Sequence, residues 1–141
     1  MKQKKKLAIA GASGFIGRWF IETYKNDYQI IALSRKKIAP SNSSIEWRTV
    51  DLFSISSSIE ALKDIDYALY LVHSMQPSTR LNQSNFEDTD LLLADNFSRA
   101  AEACSLSHIV YVGGILPKDR LNISKHLRSR YEVERVLGSR K

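Results

Sequence analysis

Short apolar runs alternate along this chain with stretches in which apolar residues recur at helical spacing. Leu7-Ala8-Ile9-Ala10 is a compact apolar run stopped by Gly11, the pattern of a buried strand. From Phe15 to Tyr24, Ile16, Trp19, Phe20 and Thr23 recur at intervals of three and four, which predicts a helix. Gln29 to Leu33 reads as a second strand, and Ile45 to Val50 as a third with alternation at Ile45, Trp47 and Thr49. Ser54 to Leu62 is a weaker helix whose serines offer N-caps. Asp66 to His73 is a fourth strand, and the polar segment Met75 to Ser84 a loop. Asn85 to Ser105 is the longest helix, with Leu93, Phe97, Ala100 and Cys104 on one face. His108 to Val112 is a fifth strand, and Ser124 to Leu137 a last helix with Val133, Val136 and Leu137 inward.

Apolar strands separated by helical segments are the signature of parallel βαβ units, buried on both faces. Right-handed crossovers then predict a Rossmann-type, doubly wound parallel α/β sheet in the order 3-2-1-4-5. The 141 residues suit one domain spanning 1–141, with residues 1–6 as a basic tail. The net charge of +6 arises at the ends, from Lys2, Lys4, Lys5, Lys6, Arg140 and Lys141, while 15 basic and 15 acidic residues balance between them. Such ends read as solvated termini, and no basic stripe on a folded face speaks for a nucleic-acid partner. The single Cys104 forms no internal disulfide and suits a small apolar core position. The lysines before Leu7 superficially mimic a signal peptide, but four apolar residues before Gly11 are too few. The run Tyr67 to Val72 is far short of a membrane span, so no membrane partner and a cytoplasmic location are expected. No metal site is expected.

The most informative segment is Gly11-Ala12-Ser13-Gly14-Phe15-Ile16-Gly17, a G-x-x-G-x-x-G lying between the first strand and the first helix. That context turns a glycine triplet into a dinucleotide-binding signal. Gly11 permits a sharp turn, Gly14 lets backbone N–H groups approach a pyrophosphate, and Gly17 allows close helix packing. The helix N-terminus adds partial positive charge for the phosphates. After the second strand, where a carboxylate would accept the ribose 2′-OH of NAD, the sequence reads Leu33-Ser34-Arg35-Lys36-Lys37. An Arg there suits the 2′-phosphate of NADP, so NADP is expected over NAD; the alternative is a plain solvated basic loop. Asp51-Leu52 follows the third strand, where the carboxylate could meet the adenine amino group or cap the helix near Ser54.

Together the glycine motif, Arg35 and Asp51-Leu52 resemble the short-chain dehydrogenase/reductase superfamily. Tyr70 to Met75 (YLVHSM), Tyr111-Val112-Gly113-Gly114 and His126-Leu127-Arg128-Ser129-Arg130 are similar to its atypical NAD(P)-binding, nucleoside-diphosphate-sugar epimerase-like branch, and the resemblance runs from about Lys6 to Leu137. It implies that Gly11, Ser13, Gly14, Phe15, Ile16 and Gly17 hold the pyrophosphate. Ser34 and Arg35 would contact the adenosine ribose side, and Asp51 and Leu52 would border the adenine. Val72, His73 and Ser74 would line the nicotinamide ribose. Active members place a Tyr-x-x-x-Lys pair on the last helix and a Ser or Thr after the fifth strand. Here the matching positions are His126 and Arg130, with Gly113 or Gly114 at the serine position. His126 could transfer a proton, because imidazole titrates near neutrality, whereas Arg130 could hold a ribose but not titrate. Tyr131-x-x-x-Arg135 retains a Tyr but is rotated by about 100° around the helix.

Members of that superfamily also continue past this helix with further strands and a substrate-binding portion. The resemblance therefore implies a shortened or naturally short chain with a cofactor half-site, little substrate pocket and an open edge on the fifth strand. Pairing as a homodimer would cover that edge. Three functions fit these readings: an NADP(H)-using oxidoreductase or epimerase core acting on an unknown small-molecule carbonyl or hydroxyl; a non-catalytic NADP(H) binder with a regulatory or redox-sensing role; and an interaction domain that has lost its nucleotide.

Overall fold

In a computed structural model of the chain, described here for residues 2–38, 45–72, 83–113 and 124–140, five strands form one parallel sheet in the order β3-β2-β1-β4-β5. The elements run β1 (Lys6–Ala10), α1 (Phe15–Tyr24), β2 (Gln29–Ser34), β3 (Glu46–Thr49), α2 (Ile55–Ala61), β4 (Tyr67–Tyr70), α3 (Gln83–Ala103), β5 (His108–Tyr111) and α4 (Lys125–Leu137). This is the Rossmann-like α/β architecture that the alternation predicts. β3, β4 and β5 are shorter than the expected runs, β1 and β2 one residue longer, and α3 takes in Gln83 and Ser84 from the end of the expected loop.

β1 lies at the centre. Its Ala10 is in register with Leu33 of β2 on one side and Tyr70 of β4 on the other. Each strand's alternate residues feed two cores. Ala8, Ala10, Ile31, Leu33, Ala68 and Tyr70 face α2, α3 and α4, where Phe97 and Leu62 are fully buried. The rings of Tyr70 and Phe97 meet at 4.9 Å. Leu7, Ile9, Ile30, Ala32 and Leu69 face the other way and pack with Ala12 and Ile21. Polar groups inside the larger core are satisfied: Asn96 donates to the Leu52 carbonyl at 2.8 Å, and the Ser58 hydroxyl to that of Ser54 at 2.9 Å.

The buried side of α1 is narrower than its apolar stripe. Gly17 and Ile21 are its buried residues, whereas Ile16 and Trp19 are exposed and the Thr23 hydroxyl turns back to the Trp19 carbonyl at 2.8 Å. Gly17 carries no side chain, so a hydrophobicity pattern passes over the position at which the helix packs on the backbone of Gly11 and Ala12.

Of the charged ends, Lys2, Lys4 and Lys5 are exposed while Lys6 and Arg140 are partly buried. Lys6 belongs to β1, and its N–H donates to Asp66 at 2.8 Å while the Lys5 ammonium stands 3.5 Å from the same carboxylate. Arg140 clamps the end of the chain to α3 through Asp95 at 3.3 Å, Glu102 at 3.2 Å and the Ser98 hydroxyl at 3.1 Å.

Candidate functional site

The carboxyl ends of β1, β2, β3 and β4 meet along one rim of the sheet. Leu71 donates to the Ala10 carbonyl and Val50 to that of Ser34, both at 2.9 Å, so the segments following the four strands are tied in pairs. Between β1 and β4 the strand order reverses, which in open α/β sheets is the ligand-binding crevice. The G-x-x-G-x-x-G turn sits there, and each glycine answers to a different constraint. Gly11 has φ +86°, and a Cβ on it would come 3.0 Å from the Leu71 carbonyl group. A Cβ on Gly17 would meet the Gly11 oxygen at 2.5 Å and the Ala12 backbone at 2.8 Å. At Gly14 the same test finds only the Gly11 oxygen at 3.4 Å. Among the described residues nothing demands a glycine at 14, and its far side is open.

Gly14 is also the N-cap of α1, in extended conformation and with no side-chain cap. Its N–H donates back to Gly11 at 3.2 Å, and its carbonyl accepts from Arg18 at 3.0 Å. The N–H groups of Phe15, Ile16 and Gly17 are those a helix start leaves without an intrahelical acceptor. No acidic residue occupies the first turn to compete for them. Phe15 is 90% exposed, and Ser13 lies exposed beside it.

At the end of β2 the Ser34 hydroxyl accepts the Lys36 N–H at 3.2 Å, shaping the turn that carries Arg35. Arg35 is exposed and makes no hydrogen bond or ion pair among the described residues. At the end of β3 the two readings of Asp51 separate. Ser54 caps α2, accepting the Ser57 N–H at 3.2 Å, while Asp51 accepts the Phe53 N–H at 3.0 Å in a local turn and stays exposed. The Leu52 side chain is buried in the larger core and its carbonyl is taken by Asn96, so as a side chain it borders the core rather than an adenine. Sequence reading passed over Phe53, a 59% exposed ring beside Asp51; its signal was a large apolar residue in a polar turn.

Val72 is half-buried against the larger core. His73 and Ser74 lie outside the described residues, as does Gly114. Gly113 is exposed; a Cβ there would stand 3.5 Å from the Tyr111 ring and 3.8 Å from the Glu134 carboxylate. His126 is the second residue of α4, whose N-cap Ser124 accepts the Leu127 N–H at 3.3 Å; the orientation of the imidazole lies outside the described residues. Arg130 is half-buried, three and seven residues ahead of the buried Val133 and Leu137, and so on the helix's inward stripe. Tyr111 is held above its usual pKa, chiefly by burial and against the favourable charge of Arg130. The alternative pair is engaged with itself, the Arg135 guanidinium lying 6.0 Å from the centre of the Tyr131 ring. Among the described residues no group of His, Cys, Asp or Glu could hold a metal ion, and no helix is long and apolar enough to cross a membrane.

Residues 7–126 match the NAD dependent epimerase/dehydratase family, and the chain belongs to it. With the Rossmann-like sheet and its glycine turn, that defines an NAD(P)-binding, oxidoreductase- or epimerase-like core. Among curated proteins it is similar to the auxiliary protein GraX of Staphylococcus aureus, 30% identical over 113 residues that make up 79% of this chain and 37% of that protein. Among solved structures it is similar to UDP-N-acetylglucosamine 4-epimerase from Bacillus cereus, 26% identical with a TM-score of 0.69, covering 94% of this chain and 52% of that one. It shares its fold with uronate dehydrogenase from Agrobacterium tumefaciens, solved with NAD, at 19% identity and a TM-score of 0.65 over 78% of this chain and 41% of that one. The chain thus spans about half, or less, of the length of these relatives.

Proposed function

We propose that the chain binds NADP(H) in preference to NAD(H), as the nucleotide-binding core of an oxidoreductase or epimerase-type activity on a small-molecule carbonyl or hydroxyl. The observation that carries this reading is Gly14: a glycine that the fold does not need, at the N-terminus of a helix, on the crevice where the strand order reverses. The N–H groups of Phe15, Ile16 and Gly17, with Ser13, would hold the pyrophosphate. Arg35, without a competing partner among the described residues, would pair with the 2′-phosphate, with Ser34 shaping its turn. Asp51 and the Phe53 ring would flank the adenine, and Val72, His73 and Ser74 the nicotinamide ribose. The bound cofactor would supply hydride chemistry. Arg130 would orient the ribose and His126 would exchange the proton at the substrate oxygen.

The test is a titration with NADPH and NADH. Tighter binding of NADPH, lost in Arg35→Ala with little change for NADH, supports the assignment. Equal affinity for both nucleotides in the unaltered chain overturns the 2′-phosphate role. A second reading, a non-catalytic NADP(H) binder, is favoured by one observation: Gly113 or Gly114, where an active member has Ser or Thr, supplies no hydroxyl. Binding without any hydride turnover, unchanged by His126→Ala, would select it. A cytoplasmic location and association with a second copy complete the proposal.

A further inference from the structure

The turn that follows β3 is held from three sides. Leu52 at its middle is buried in the larger core, while Asp51 and Phe53 on either side of it are exposed. Asn96, 5% exposed on α3, donates across that core to the Leu52 carbonyl at 2.8 Å. From α2 the Ser57 hydroxyl accepts the Asp51 N–H at 3.0 Å. Within the turn the Asp51 carbonyl accepts the Ser54 N–H, and one Asp51 carboxylate oxygen accepts the Phe53 N–H, both at 3.0 Å. Before the turn, Val50 donates to the Ser34 carbonyl, which ties this segment to the one that carries Arg35. The second carboxylate oxygen of Asp51 takes no hydrogen bond among the described residues. Asn96 holds a place where an apolar side chain would serve packing, on the buried stripe of α3 with Leu93, Phe97 and Ala100. An amide buried there costs free energy unless it is hydrogen-bonded, and the partner it finds is 44 residues earlier, in the turn.

We infer that Asn96 and Ser57 are positioning residues for the base of a bound dinucleotide, holding the turn so that Asp51 accepts from an exocyclic 6-amino group while Phe53 lies against the base. This deepens the nucleotide reading proposed above and rests on it. β3 lies one strand spacing, about 4.8 Å, beyond β2. A base on the ribose that meets Arg35 therefore falls at the turn after β3. Stacking on an aromatic ring is available to every base, so Phe53 contributes affinity without choice. Choice falls to Asp51. An ionised carboxylate only accepts, so it pairs with the amino group of a 6-amino purine and repels the carbonyl of a 6-oxo purine. That discrimination depends on where the second Asp51 oxygen points. The Phe53 N–H fixes the side chain, and the backbone beneath it is fixed by Ser57 on one side and by Asn96, through Leu52, on the other. Neither positioning residue touches the base. Both spare the complex the cost of ordering the turn on binding, and both keep the acceptor within the tolerance that a hydrogen bond allows.

Calorimetric titration with NADPH and with its hypoxanthine counterpart, which carries a 6-oxo group in place of the amino group, tests this as a ratio of dissociation constants. The unaltered chain should prefer NADPH at least about ten-fold. Asn96→Leu keeps the core filled and removes the donor. Ser57→Ala removes the acceptor on the other side of the turn and leaves the core alone. In each variant the preference should fall below about three-fold, whereas a purely structural role would lower stability and leave the ratio as it was. Glu60→Ala, in the last turn of α2 and paired with Lys63, should keep the full preference. Should Asn96→Leu fail to fold, as judged by circular dichroism, Ser57→Ala carries the test alone. A preference that stays whole in every folded variant overturns the inference. Equal binding of the two nucleotides by the unaltered chain overturns it and leaves the cofactor reading standing, whereas binding of neither overturns both. NADH and its own hypoxanthine counterpart give the same ratio, so a failure of the 2′-phosphate role is read separately.

Discussion

A side chain added at Gly14 and one added at Gly17 meet different obstacles, and the difference separates binding from stability. At Gly14 the nearest atom to a new Cβ is the Gly11 oxygen at 3.4 Å, an ordinary contact, and the backbone there is extended. Gly14→Val should therefore fold with stability changed by less than about 1 kcal/mol, yet bind no dinucleotide, because its branches fill the phosphate position. At Gly17 the new Cβ would lie 2.5 Å from a backbone oxygen that cannot swing aside. Alanine normally gains about 1 kcal/mol over glycine within a helix. Here overpacking against backbone should outweigh that gain and leave Gly17→Ala about 2 kcal/mol less stable. Urea unfolding beside a nucleotide titration checks both variants; loss of binding and stability together in Gly14→Val would mean that the turn is structural.

Asp66 gives the residue scale its pH dependence. The Lys6 N–H bonded to its carboxylate, helped by the Lys5 charge, holds its pKa below the usual range against a smaller opposing effect of burial. A depressed carboxylate pKa stabilises the fold above the unfolded pKa near 4, and that stability is lost as pH falls through the folded value. Asp66→Asn should cost about 1 kcal/mol at pH 7, a difference that closes as pH falls below about 4. A constant difference from pH 7 to pH 3 would assign the loss to the shape of the side chain rather than its charge.

At the scale of elements, helix ends show what a sequence pattern hides. α3 terminates through Leu106, which donates to the Ala101 carbonyl at 3.0 Å, with Ser105 in the left-handed region at φ +57°. Glycine occupies that place at no steric cost, whereas a residue with a Cβ is strained there. Ser105→Gly should raise stability by about 0.5–1 kcal/mol in urea unfolding; a loss would mean that the serine side chain outweighs the strain. Strand and helix identities were legible because each apolar run was short and each helix had its own period. The orientation of α1 was not. Of its apolar residues Ile16 and Trp19 are exposed while Phe20 packs against the smaller core, and one of the two buried positions is a glycine without hydrophobicity to read. Arg140 escaped for a related reason: its partners Asp95, Ser98 and Glu102 lie about 40 residues earlier, and only the packing of α4 on α3 brings them together.

For the whole molecule, the glycine turn and the strand ends around it were legible because they are local. Gly11, Gly14 and Gly17 span one turn, and Arg35 and Asp51 each follow a strand whose place in the sheet the alternation foretells. Leu52 was misplaced because the pair Asp51-Leu52 does not say which side chain turns outward; the core behind β3 decides that, with Asn96 holding the Leu52 carbonyl. One property of the entire chain follows. The strand ends that would hold the nucleotide, at Ala10, Ser34 and Val50, belong to the same sheet as the cores on both its faces, so ligand binding and global unfolding are linked. A ligand at a hundredfold excess over its Kd stabilises the folded state by about 2.7 kcal/mol. For a domain of this size that corresponds to a rise in Tm of about 10 °C. NADPH should produce that rise in the unaltered chain, none in Gly14→Val, and in Arg35→Ala no more than NADH does. A rise in Gly14→Val equal to that of the unaltered chain would place the nucleotide away from the glycine turn altogether.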